Sequence, residues 1–192
     1  MSAGVGYSEA DDTYKDTSVL VTELGSFPAA PVQNDFEIKN YNAYIYSNLR
    51  YPQRFLWTLG LSADSYDDNR HASFDSNQIN PKIGLTWQLT PSTVLRLAGF
   101  RVLKPPLAVN QSIQQTQVAG FNQFFDDFNG TDSRRLGIGA DHKITPDILG
   151  GVELSDRDLD VPTQVVRADR ELEFYTEDRD ERRHRAYLYW TA

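Results

Sequence analysis

Six cationic side chains recur on the polar side of alternating stretches: Arg54, Lys82, Arg96, Arg135, Lys143 and Arg157. Rings of fixed charge around a water-filled passage select ions by sign, so this set favours an anion conduit or binding wall. Covalent chemistry is poorly provided for. The chain has no Cys, which removes disulfides, thiolate metal sites and thiol nucleophiles. His71, His142 and His184 lie far apart, a poor start for a zinc site. His184 follows the charged run Glu177-Asp178-Arg179-Asp180-Glu181, with Asp156 and Asp158 ending an earlier stretch. A His beside carboxylates can activate water, but a hydrolase would also need a Ser or Asp within hydrogen-bond reach of His184. The acidic pairs Asp11-Asp12, Asp67-Asp68 and Asp126-Asp127 offer oxygen ligands without the spacing of a calcium loop. We expect no catalytic residue, no metal and no cofactor.

The elements that must hold these cations have period two. Pro81 to Leu89 places Ile83, Leu85, Trp87 and Leu89 on one face, against Lys82, Gly84, Thr86 and Gln88. Arg54 to Asp64 puts Phe55, Trp57, Leu59, Leu61 and Ala63 together. Leu136, Ile138 and Ala140 oppose Arg135, Gly137, Gly139, Asp141 and Lys143, and Ile148, Gly150, Val152 and Leu154 oppose Leu149, Gly151, Glu153 and Ser155. Such alternation is the signature of strands with one apolar face. It predicts an all-β, antiparallel up-and-down meander of about eight strands, near 2–9, 41–51, 54–64, 81–90, 93–104, 134–144, 148–158 and 183–191. Three links centre on proline: Tyr51-Pro52-Gln53, Thr90-Pro91-Ser92 and Thr145-Pro146-Asp147. Proline presets a turn and cannot donate within a ladder. The other links, near 10–40, 65–80, 105–133 and 159–182, are long and polar. Tight turns alternating with long loops match a transmembrane β-barrel with short periplasmic turns and long outer loops.

The 192 residues fit a single domain, and the net charge of -8 argues against nucleic acid as a partner. Of 27 acidic and 19 basic residues, 20 acidic and 7 basic fall in the four long links, leaving a basic surplus on strands and tight turns. Arg183 and Arg185 add to that surplus without a clear face. Neither a signal peptide nor an apolar run long enough for a membrane helix is visible, whereas a closed barrel satisfies its backbone groups without one. Trp57, Trp87 and Trp190, with Tyr51 and Phe55, gather near the proline-turn ends, as aromatic belts do at a membrane–water boundary.

Asn80-Pro81-Lys82-Ile83-Gly84-Leu85-Thr86-Trp87, then Thr93-Val94-Leu95-Arg96-Leu97-Ala98 and Arg101-Val102-Leu103-Lys104-Pro105, resembles the β-barrels of TonB-dependent receptors. The stretch Gln117 to Asp127, through Gly130-Thr131, is similar to the barrel region of bacterial outer-membrane proteins that carry tetratricopeptide repeats. The resemblance covers about residues 75–192. It implies a bacterial outer-membrane location and a transport or secretion role. With no plug domain, TonB-box-like start or aromatic carboxy terminus, residues 1–192 are expected to form one partial barrel domain, completed by further strands. The function expected is a porin-like channel or receptor segment that passes or binds a solute or polysaccharide, without chemistry. Outer-membrane lipid, lipopolysaccharide and an anionic solute would be its partners. Within Leu107–Ser133, Phe121, Gln123, Phe124, Asp126 and Asp127 are candidates for ligand contact or constriction. The alternative is a soluble or surface-attached β-sandwich for adhesion or carbohydrate binding; a barrel hydrolase stands behind both.

Overall fold

The computed structural model describes residues 1–16, 19–22, 25–28, 32–68, 76–104, 114–166 and 172–191. Its frame is one eight-stranded antiparallel sheet. The strands are β1 (Ser2–Asp16), β4 (Val32–Arg50), β5 (Phe55–Asp68), β6 (Ser76–Thr90), β7 (Thr93–Leu103), β10 (Asp132–Thr145), β11 (Ile148–Val166) and β12 (Leu172–Trp190), each hydrogen-bonded to the next in that order. Two small hairpins interrupt the meander, β2 (Val19–Thr22) with β3 (Gly25–Pro28), and β8 (Gln117–Val118) with β9 (Phe121–Asn122). Among the described residues there is no helix.

All three proline turns form where expected. Phe55 N–H donates to the Pro52 carbonyl at 2.8 Å, and Ser92 and Asp147 N–H donate to the Thr90 and Thr145 hydroxyls, each at 3.3 Å. The opposite ends of the strands differ from the sequence expectation. The spans read as loops at 10–40 and 159–182 are largely strand: β1 runs to Asp16, and β11 stays paired with β12 out to Val166↔Leu172. The alternation fades there because polar side chains outnumber the few buried apolar ones, Ile38, Leu159 and Val161, and leave too sparse a period to register. Crossing a bilayer takes about 9–11 residues of tilted strand. Strands of 14 to 19 residues, such as β5 and β11, are longer than that.

Burial is inverted relative to a soluble sheet. The apolar face is exposed, with Ile83 at 52%, Leu136 at 70% and Leu154 at 48%, while on the polar face Lys82, Arg135 and Arg157 are at 5% or below. A sandwich buries apolar faces between two sheets; here eight strands form one sheet with its apolar side open. Residues 114–131 fold back over the polar side. There Val118 and Phe121 pack with Ala98, Phe100 and Val102 of β7. A second cluster joins Ile38, Tyr66 and Leu103.

Candidate functional site

Alternation along β4, β5 and β6 sends Asn42, Ser62, Asp64, Asn80 and Lys82 to the polar inner face. Asp64 is the centre of a hydrogen-bonded group, accepting from Asn80 at 2.6 Å, Asn42 at 3.0 Å and Ser62 at 3.1 Å. The Lys82 ammonium donates to the Ser62 hydroxyl at 3.2 Å and the Arg101 carbonyl at 3.1 Å. Buried polar atoms are tolerable only when bonded in this way. The Gln123 amide reaches the Tyr46 hydroxyl at 3.2 Å, tying the in-folded loop to the same wall.

A second group gathers the arginines. Arg135 and Arg157 face each other across β10 and β11. Arg135 donates to the Ser155 hydroxyl at 2.8 Å and the Asn122 carbonyl at 2.9 Å, and lies 3.4 Å from Glu153. Glu153 also takes Arg185 at 2.9 Å. Arg96 pairs with Asp141 at 2.6 Å and donates to the Tyr187 hydroxyl, itself bonded to Asp141. Arg157 bridges Glu181 at 2.8 Å and Asp127 of the loop at 2.5 Å.

The loop fits because glycines hollow the wall. A Cβ on Gly84 would stand 2.8 Å from the Val118 side chain, and one on Gly137 would stand inside the Phe121 ring contact. Between β8 and β9 the chain reverses through Ala119 and Gly120 at positive φ, a geometry that costs glycine little.

Of the six expected cations, Lys82, Arg96, Arg135 and Arg157 thus lie on the inner wall, the last three in one network. Arg54 does not sit on a strand: it lies in the turn before β5, exposed, where its carbonyl accepts from Gln88 N–H at 2.8 Å. Pro52 starts the turn early enough that residue 54 is still inside it. Lys143 is exposed beside the Pro146 turn. Among the loop residues, Phe121 and Gln123 are buried against the wall, Phe124 is half-buried, Asp126 is exposed and Asp127 is ion-paired. His71 and the span 105–113 lie outside the described residues. His184 faces the open apolar side, directly across from Leu154, whereas Ser155 points to the inner wall.

The aromatic set occupies the proline-turn end. Phe55 stacks on Trp87 at 5.4 Å, Trp57 Nε1 donates to the Tyr51 carbonyl at 2.9 Å, and Trp190 lies opposite Ile148. Sequence reasoning passed over Glu153, Asp64 and Phe125. The first two share parity with cations already singled out, so alternation could have found them; Phe125 has no such signal.

No curated protein compared by sequence matches the chain. The crystal structure of the ferric-catecholate import receptor Fiu from E. coli K12, in its closed form, aligns over 97% of this chain with a TM-score of 0.54 and 15% identity, a likeness of fold. The aligned part is 32% of Fiu, so this chain spans about a third of that receptor's length. Neither comparison supports the tetratricopeptide-repeat likeness. Residues 2–137 match the profile of the TonB-dependent receptor-like β-barrel, a family of bacterial outer-membrane barrels. With the single meander and its open apolar face, that match decides the question: the chain belongs to the TonB-dependent receptor β-barrel family.

Proposed function

We propose that this chain is a stretch of the wall of a bacterial outer-membrane transport barrel, and that its inner face guides or binds an anionic solute without covalent chemistry. The observation that carries this reading is the inverted burial along β4, β5, β6, β7, β10 and β11, since an apolar face left open on one sheet is stable only against lipid. Tyr51, Phe55, Trp57, Trp87 and Trp190 then form the girdle at the periplasmic boundary, and lipid with lipopolysaccharide covers the outward face. The free edges of β1 and β12 pair with further strands of a larger barrel, because an unpaired edge is untenable in a bilayer. Ion pairing sharpens the selectivity assignment. Arg96, Arg135 and Arg157 are partnered and withdrawn from water, so the accessible positive charge of the wall rests on exposed Arg183 and on Arg185, half exposed although paired with Glu153. An acidic polysaccharide is among the solutes such a wall would favour.

Two measurements test this. Tryptophan emission of the full protein in vesicles of brominated lipid should be strongly quenched; a sandwich would show no quenching. In planar-bilayer recordings, Arg183→Glu with Arg185→Glu should lower the anion-to-cation permeability ratio severalfold. An unchanged ratio would remove the selectivity assignment and leave the barrel standing.

A further inference from the structure

The arginine group carries more positive charge than its own strands neutralise. Arg96, Arg135, Arg157, Arg183 and Arg185 are opposed on β10, β11 and β12 by the carboxylates Asp141, Glu153 and Glu181. Arg135 and Arg157 are direct cross-strand neighbours, an arrangement that like charges disfavour. One of the two missing anions comes from the loop. Asp127 meets Arg157 at 2.5 Å, and two residues earlier the Phe125 ring has the guanidinium carbons of Arg157, Arg135 and Arg183 at 4.0, 5.0 and 5.0 Å from its centre. Guanidinium groups are drawn to aromatic faces, and they pair with carboxylates through charge-assisted hydrogen bonds. A phenyl ring and a carboxylate thus fill one basket built by three strands.

The fit is incomplete. Arg135 and Arg157, at 3% and 5% exposure, each keep an Nε–H that meets no acceptor. A buried donor without a partner is costly, and the two on these adjacent guanidiniums are donors that Asp127 does not satisfy. Phe125 is only half-buried and Asp126 beside it is exposed, so the basket has an open side. The loop backbone is held separately, by the Lys104 ammonium on the Phe125 carbonyl at 3.0 Å, so the two side chains can leave without unfolding the loop.

We propose that this basket is a binding site for a small benzoate-like aromatic carboxylate, and that Phe125 and Asp127 are its built-in occupant, displaced when the solute arrives. The inference rests on the anionic-solute reading above and names the ligand chemistry of that wall. Glu153 and Glu181 remain beside the arginines and hold the affinity down.

The test titrates benzoate, cyclohexanecarboxylate and acetate into the full protein in detergent, by calorimetry. Phe125→Ala with Asp127→Asn empties the basket and should tighten benzoate at least tenfold over wild type, with the two non-aromatic acids at least fivefold weaker. Adding Arg157→Gln should abolish the gain. Phe125→Leu with Asp127→Asn keeps most of the packing volume and should show the same direction if the alanine variant does not fold. Equal benzoate affinity in wild type and emptied variants, or no preference for benzoate over acetate, overturns the proposal. Quenching by brominated lipid, read on the same samples, keeps the two readings apart: quenching without benzoate binding sinks this site alone, and no quenching in wild type sinks the barrel.

Discussion

Two connections that look alike in length behave in opposite ways. The span 105–133 has three acidic residues and no Lys or Arg, with Gln, Asn and Phe making up much of it; the span 159–182 has eight acidic and four basic residues. The first turns inward and buries Val118, Phe121 and Gln123 against the wall. The second extends β11 and β12 outward as a paired hairpin. The difference is one of desolvation. Amides and phenyl rings can be withdrawn from water if the wall returns their hydrogen bonds and contacts, whereas a run of charges cannot without a partner for each. Length of a connection therefore says little about where it goes; the solvation cost of its side chains says more.

The inward connection should be the more fragile to single changes. Phe121→Ala removes a fully buried ring and should lower the unfolding free energy by about 4 kcal/mol, read from urea titration in micelles followed by tryptophan emission. A loss under about 1 kcal/mol would mean the loop is not packed as described. Gly84→Val crowds Val118 and Ala119 rather than emptying space, and overpacking of that kind should cost about 2 kcal/mol. Its sharper readout is accessibility: a cysteine at Ala98, which packs with Val118 and Phe121, should react with a hydrophilic maleimide faster in the Gly84→Val background, because the loop no longer covers it.

The outward hairpin should respond to pH instead. Asp158 faces Asp180 and Asp160 faces Asp178 across the strands. Burial first, then the nearby charges of Asp132 and Asp178, raises the Asp160 carboxyl above its ordinary range. A carboxyl whose folded value lies above its unfolded one contributes stability at low pH that is lost as pH climbs through the folded value. Amide exchange, corrected for its intrinsic pH dependence, should therefore be slower in 156–166 at acid pH than at neutral pH, and Asp160→Asn should give the protected behaviour at neutral pH. The opposite trend would mean these carboxylates are not close. Smallest of all, Arg179→Ala removes an exposed pair with Glu177 and should leave the urea midpoint unchanged.

Much of the wall was legible residue by residue. Period two assigned Ile83, Leu85 and Trp87 to one face and Lys82 to the other, and the prolines at 52, 91 and 146 marked the short turns. Glu153 shares the parity of Arg157 yet was not singled out. The outer halves of β1, β4, β11 and β12 were not legible, because the few buried apolar residues there, Ile38, Leu159 and Val161, are too sparse among polar ones to leave a hydropathy pattern. Arg54 was misplaced by a residue or two, since a turn boundary depends on local hydrogen bonds such as that between Phe55 and Pro52 rather than on composition.

The alternation by itself determined that this chain is a meander with one lipid-like and one polar face, because a pleated strand sends successive side chains to opposite sides. Only the tertiary structure decided what covers the polar face. Gly84 and Gly137 become notches only when Val118 and Phe121 arrive from a distant part of the chain, and Arg157 finds Asp127 thirty residues away. Such contacts depend on the register of three strands at once, and no local pattern encodes that.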